Sequence, residues 1–127
     1  MRGALDSHAP ERFTLGGPSL RVGPSAALSL SLLLHELATN AAKYGALSAP
    51  PGRVAVAWAI AGAGEAAAFR LDWSEAGGPP VAPPSRKGFG TRLIERGLAG
   101  GGVTMEYSVD GLACRLTAPL AGLLAEA

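Results

Sequence analysis

A run of leucines that passes directly into a polar segment most constrains the fold of this chain. From Pro24 onward, apolar residues recur at helical spacing and then give way to "HELATNAAKYG", which ends at Gly45. Proline is favoured in the first turn of a helix and glycine just beyond its end. The pattern therefore predicts one long helix between these two residues. Its first half is apolar nearly all round, which is typical of a helix packed against a sheet.

Pairs of alternating apolar segments predict the strands that this helix would cover. "RFTLGG" and "SLRVG" are expected to be two short strands around Gly17 and Pro18, and "RVAVAWAI" and "AAAFRLDWSE" form a second pair. "GVTMEYSV" and "LACRLTAPL" form a hairpin that turns at Asp110 and Gly111, and "TRLIERGLA" is a short helix. These elements predict an α+β fold, a two-layer sandwich with a mixed, mostly antiparallel sheet covered on one face by helices.

The composition excludes several classes of protein. At 127 residues the chain allows one domain, and its net charge of +1 gives no electrostatic case for binding nucleic acid. The single cysteine, Cys114, excludes an internal disulfide and a cysteine-based zinc site, and its strand-like context predicts a buried side chain. Neither a bilayer-spanning apolar run nor a signal sequence is present. We therefore expect a cytoplasmic fragment without membrane contact.

Polar residues in the second half of the predicted helix form a stripe. Glu36, Asn40, Lys43 and Tyr44 recur at spacings of three and four, which places them on one side of a helix. A carboxylate can accept a proton or orient a nucleophile, and an amide oxygen is a hard ligand suited to Mg²⁺. A lysine can neutralise phosphate charge. For the helix alone, a solvated polar face is the alternative interpretation.

Two glycine-rich elements follow this helix. Glu75 lies in "WSEAGGPP", directly after a strand that ends at Trp73, and "GFGT" begins the predicted short helix. Glycines let the backbone approach a ligand closely, and a helix N-terminus presents N–H groups to phosphate. The order of the three elements in one small domain favours a phosphate-binding site over an ordinary surface loop.

From about residue 11 to 120, the sequence resembles the ATP-binding catalytic domain of HWE-type sensor histidine kinases. These belong to the GHKL ATPase superfamily, which has the Bergerat fold. His35 in "HELATNAAKYGALS", and Trp73 with Glu75, match the histidine and the Trp-x-Glu that give the family its name. "GFGTRLI" and "GLACRLTAPL" also match the family's pattern.

The resemblance implies a catalytic domain over residues 1–127, with residues 1–10 as a disordered segment or linker remnant. It implies transfer of the γ-phosphoryl group of ATP to a histidine on a separate dimerisation domain, and a response regulator downstream. The sequence shows no helix pair of the kind that forms such a dimerisation domain, and His8 lies among turn-forming residues without helical periodicity. We therefore expect His8 to be an ordinary loop residue.

Matched position by position, the resemblance also implies roles for single residues. Asn40 would hold Mg²⁺, Lys43 would contact phosphate, and Glu36 would orient the incoming imidazole. Glu75 would accept a hydrogen bond from the adenine amino group. For His35 two roles stay open, a catalytic one and a structural one, and the sequence favours neither. The other implied ATP-binding residues are Tyr44 (as a site wall, with packing the alternative), Gly77, Gly78, Gly88, Phe89, Gly90, Thr91 and Arg92.

Two other functions fit the same residues. One is an ATP hydrolase or an anti-sigma-type serine kinase on the same fold, in which Glu36 would activate water or a hydroxyl group. The other is a non-catalytic docking module that has kept the fold.

The segment between the two glycine-rich elements, which forms the lid over the nucleotide in this family, is short. Only "VAPPSRK" separates Pro80 from Gly88, and this leaves open how well a nucleotide would be retained.

Overall fold

The long helix is present as predicted. In the computed structural model, which describes residues 12–48, 51–80, 97–98, 100–109 and 111–124, α1 spans Pro24–Lys43. Pro24 lies in its first turn, and the N–H of Gly45 donates to the carbonyl of Ala41 at 3.0 Å just after its end. The inward face of α1 consists of six buried residues, Leu30, Leu33, Leu34, Leu37, Ala38 and Ala41.

The described residues contain five strands in a single sheet. They are β1 (Phe13–Gly16), β2 (Arg53–Ala61), β3 (Ala68–Ala76), β4 (Gly102–Ser108) and β5 (Gly111–Pro119). Their order is β1-β2-β3-β5-β4, with β1 parallel to β2 and every other neighbouring pair antiparallel. The prediction of a mixed, mostly antiparallel sheet is therefore confirmed.

One face of the sheet is buried and the other is open to solvent. Phe69, Leu71 and Trp73 point from β3 into a core shared with α1 and with the short C-terminal helix α2 (Leu120–Leu124). On the outer face Asp72 lies between two exposed arginines of the sheet. This arrangement confirms the two-layer sandwich. Among the described residues, no helix has the length and apolar character that crossing a membrane requires.

The prediction of a first strand pair is correct for its first strand and wrong for its second. "RFTLGG" contains β1, but Ser19–Gly23 forms no strand, and β1 pairs in parallel with β2 instead of forming a hairpin. The alternation of Leu20 and Val22 has a different cause, because both pack against the core from a loop that leads into α1.

The leucine run is not buried throughout. Leu28 and Leu32 are 63% and 45% exposed, so α1 is less enclosed by the rest of the fold than the sequence predicts.

The two strands predicted on either side of Asp110 are present. Asp110 itself and most of "TRLIERGLA" lie outside the described residues. The short helix there stays a prediction.

The buried thiol of Cys114 gives a prediction about pH. Burial, with a smaller contribution from Asp72, raises the pKa of Cys114 from 9.0 to about 11. The unfolded chain therefore loses this proton first, so the free energy of unfolding should fall by up to about 2 kcal/mol between pH 9 and 11. Urea denaturation at pH 8 and pH 10.5 measures the fall. Cys114→Ala should remove this component, and an equal fall in that variant would contradict the assignment.

Candidate functional site

The polar stripe predicted for the long helix lies on its C-terminal half. Glu36 and Asn40 are half-buried on α1, whereas Lys43 and His35 are exposed. Lys43 is in the last turn, where the helix dipole favours a positive charge. Tyr44 is 70% exposed, so it does not pack in the core, and its role as a site wall stays a prediction. The stripe offers a carboxylate, an amide and a cation to solvent in successive turns.

The end of β3 holds a buried acidic residue. Glu75 is 6% exposed, and Trp73, two residues earlier on the same face, is fully buried. The indole Nε1–H of Trp73 donates to Glu75 Oε2 at 2.9 Å. The ring of Phe13 meets that of Trp73 edge to face, with 5.9 Å between centroids. The tryptophan of the Trp-x-Glu pair is thus a core residue that fixes the direction of the glutamate.

A second hydrogen bond joins Glu75 to the segment that follows the long helix. The backbone N–H of Ala46 donates to Glu75 Oε1 at 3.0 Å, in a buried contact. The turn after β3 also touches this point, because a side chain at Gly78 would collide with the backbone of Ala46. The preceding residue, Gly77, has a φ of 78°. The acidic-glycine turn and the polar helix, separate in sequence, therefore meet at Ala46.

The donor chemistry of the stripe fits a nucleotide-bound magnesium ion. Mg²⁺ in such sites takes one or two protein oxygen ligands and completes its shell with phosphate and water. The amide oxygen of Asn40 supplies one such ligand, and Lys43 lies one turn away on the exposed side. Asn40 and Lys43 are therefore compatible with the ion and with the phosphates that accompany it.

Five of the predicted site residues cannot be placed. Gly88, Phe89, Gly90, Thr91 and Arg92 lie outside the described residues, and their roles stay predictions.

Sequence reasoning missed two residues that support this site. Arg12 donates hydrogen bonds to the segment that follows α1, and Phe13 packs on Trp73. Arg12 is separated from its acceptors by 34 to 40 residues, a distance at which no spacing rule applies. Only the parallel pairing of β1 with β2 brings Arg12 next to that segment, and the sequence predicted a hairpin there instead.

Gly45 provides a test of how tightly the two parts of the site are joined. A Cβ at this position would collide with Glu75 Oε1, so Gly45→Ala should displace the carboxylate from the N–H of Ala46. We expect a loss of about 1–3 kcal/mol in the free energy of unfolding, as for other overpacked positions. Urea denaturation measures it. Gly16→Ala is the matched control, since a Cβ there meets nothing within 4 Å. Equal stability of the two variants would contradict the described contact.

The fold is that of histidine kinase catalytic domains. The structure matches the catalytic domain of the histidine kinase ThkA with a TM-score of 0.64 at 13% identity, over 93% of this chain and 89% of that one. It matches the histidine kinase domain of the Erythrobacter litoralis EL346 blue-light-activated histidine kinase with a TM-score of 0.66 at 17% identity, over 94% of this chain and 57% of that one. At these identities the likeness establishes the fold alone.

Proteins similar to this chain in sequence are also histidine kinases. Blue-light-activated histidine kinase 1 of Erythrobacter litoralis (strain HTCC2594) is 41% identical over 115 residues, which are 87% of this chain and 31% of that protein. The blue-light-activated histidine kinase of Brucella ovis is 39% identical over 119 residues, 91% of this chain and 24% of that protein. The chain thus spans less than a third of the length of these relatives. No family model matches it. The chain is a relative of the histidine kinases and has the fold of their catalytic domain.

Proposed function

We propose that this chain is the ATP-binding catalytic domain of an HWE-type sensor histidine kinase. It would transfer the γ-phosphoryl group of ATP to a histidine on a separate dimerisation domain, supplied by the same protein or by a partner copy, for relay to a response regulator. The observation that carries the proposal is the buried hydrogen bond from Ala46 to Glu75, 29 residues apart in sequence. This bond brings the segment that follows the polar helix next to the acidic-glycine turn, which supports the proposal that the two contribute to one site.

The proposed binding roles follow the two sides of that contact. On the β3 side, Glu75 and the turn at Gly77 and Gly78 would receive the adenine. On the α1 side, Asn40 would hold Mg²⁺ and Lys43 would contact phosphate. Tyr44 would form a wall of the site, and the glycines of "GFGT" with Thr91 and Arg92 would cradle the phosphates.

The proposed reaction makes one bond and breaks one. A neutral imidazole nitrogen of the partner histidine forms a bond to the γ-phosphorus while the bond from that phosphorus to the β,γ-bridging oxygen breaks, and ADP leaves with the bonding electrons. Such transfer has a loose transition state, so positioning and charge neutralisation account for most of the catalysis. Glu36 orients the imidazole and takes up its ring proton. Mg²⁺, when bound, would supply neutralising charge at the phosphate oxygens.

A titration and a product assay test the proposal. We expect a fluorescent ATP analogue to bind in the presence of Mg²⁺ and much more weakly in EDTA. With a separately prepared phosphoacceptor-histidine domain of a sensor histidine kinase added, radiolabel from [γ-³²P]ATP should appear on that domain and be lost in acid. Acid-stable label would indicate a serine kinase, and release of phosphate without labelled protein an ATP hydrolase. Absence of nucleotide binding would leave the docking module as the function.

A further inference from the structure

Arg12 binds the segment that links the long helix to the sheet. Its guanidinium donates from Nε to the carbonyl of Gly52 at 2.9 Å, from Nη2 to that of Ala46 at 3.0 Å, and from Nη1 to that of Leu47 at 3.3 Å. The side chain is half-buried and comes from the residue just before β1. One side chain therefore gathers carbonyls from both ends of the connection between α1 and β2.

Only an arginine can make this set of contacts. The guanidinium presents five N–H donors in a planar fork, so it can serve several acceptors in fixed directions at once. A lysine ammonium is a single point on a flexible stem and cannot span acceptors spread over Ala46, Leu47 and Gly52. Charge alone would not reproduce the geometry.

The segment that Arg12 holds also holds Glu75. Ala46 accepts from Arg12 through its carbonyl and donates to Glu75 through its N–H. It also lies so close to Gly78 that a Cβ at that glycine would collide with the Cα of Ala46. A shift of Ala46 would therefore move the glutamate and the glycine turn together. The same segment is folded locally by Ser48, whose Oγ–H donates to the carbonyl of Gly45 at 2.6 Å.

We propose that Arg12 is a positioning residue for nucleotide-base recognition, acting through Ala46 on Glu75. This inference rests on the proposed function, because it takes Glu75 as the group that accepts from the adenine amino group. It adds that the preference for adenine depends on a side chain outside the helix and the glycine turns. The phosphate side, where Asn40 and Lys43 project from α1, does not depend on it.

Competition between two nucleotides separates this role from a general loss of structure. ATP carries the exocyclic amino group of adenine, and inosine triphosphate (ITP) has a carbonyl oxygen in its place. Both are titrated against a bound fluorescent ATP analogue with Mg²⁺ on the 127-residue chain. In Arg12→Lys we expect affinity for ATP to fall about tenfold, the equivalent of one misplaced hydrogen bond, with affinity for ITP little changed. Ser48→Ala should change the ratio in the same direction.

Arg70→Lys is the matched control for the arginine change. Arg70 pairs with Asp72 at 3.3 Å on the outer face of the sheet, and its replacement should leave both affinities as they are. If the wild-type chain binds ATP in preference to ITP, and Arg12→Lys keeps that preference, the positioning role is wrong while the proposed function stands. Equal losses for ATP and ITP in Arg12→Lys and Ser48→Ala overturn it as well. If the wild-type chain binds neither nucleotide, the proposed function itself has failed.

Discussion

Asn40→Ala should reduce Mg²⁺-dependent nucleotide binding by at least about a hundredfold without unfolding the chain. Loss of a group that merely supports a metal ligand costs about ten- to a hundredfold in affinity, and loss of the ligand itself should cost no less. Asn40 is half-buried on α1 rather than in the core. Alanine is the better helix former by roughly 0.5 kcal/mol, so thermal stability should be equal or slightly higher. The expected signature is lost binding in an intact or more stable fold.

Titration with a fluorescent ATP analogue, with and without Mg²⁺, and thermal melting by circular dichroism measure the two halves of this prediction. Ser31→Ala is a suitable control, because Ser31 is exposed on the same helix, away from the stripe. It should bind the analogue as the wild-type chain does. Unchanged Mg²⁺-dependent binding by Asn40→Ala would show that the amide does not hold the ion, and the proposed phosphate side of the site would have to be abandoned.

The local features of the fold were predictable because they depend on neighbours in sequence. The leucine period, the proline at the first turn and the glycine after the last turn define α1, and alternation defines β2, β3 and β5. The failure at Ser19–Gly23 shows the limit. Alternating apolar residues indicate which side chains are buried but not whether the backbone is in a sheet. A loop that packs on the core, as Leu20 and Val22 do, therefore shows the same alternation as a strand.

In the candidate site, too, the features that depend on sequence neighbours were predictable and those that depend on the arrangement of the strands were not. Asn40 and Lys43 could be selected from helical spacing, and Glu75 from its place before a glycine turn. Nothing local indicates that Ala46 donates to Glu75, or that Arg12 reaches Ala46, since these contacts depend on strand order and on parallel pairing. Ala46 contributes only its backbone N–H and carbonyl to these contacts. Every residue except proline has both groups, so the residue type does not indicate which of them takes part in a site.

The second large effect is expected at Glu75, where a single atom change should destabilise the fold. Both carboxylate oxygens accept from N–H donors, one from Ala46 and one from Trp73. Glu75→Gln keeps the size of the side chain but replaces one oxygen by an NH₂ group, which is itself a donor. In either orientation of the amide, one buried N–H then faces another donor. A buried donor left unsatisfied costs about 1–3 kcal/mol, and Glu75→Gln should lose at least that much stability.

Removing the indole donor should relieve that cost. In Trp73→Phe the Nε1–H is absent, so the glutamine can turn its carbonyl to Ala46 and its NH₂ group into the vacated space. Trp73→Phe is itself destabilising because it leaves a gap in the core around a fully buried ring. Glu75→Gln should nevertheless cost about 1–2 kcal/mol less in the Trp73→Phe background than in the wild-type chain, the size of coupling seen between residues in contact.

Urea denaturation of the wild-type chain, the two single variants and the double variant gives this coupling energy directly. Asp72→Asn is the control carboxylate, since Asp72 lies on the same strand but pairs on the open face of the sheet, where ion pairs contribute little. It should cost less than about 1 kcal/mol and should not couple to Trp73. Equal costs of Glu75→Gln in both backgrounds would mean that the indole does not hold the carboxylate. The position of Glu75 at the base of the proposed adenine site would then depend on the buried bond from Ala46 and not on the indole.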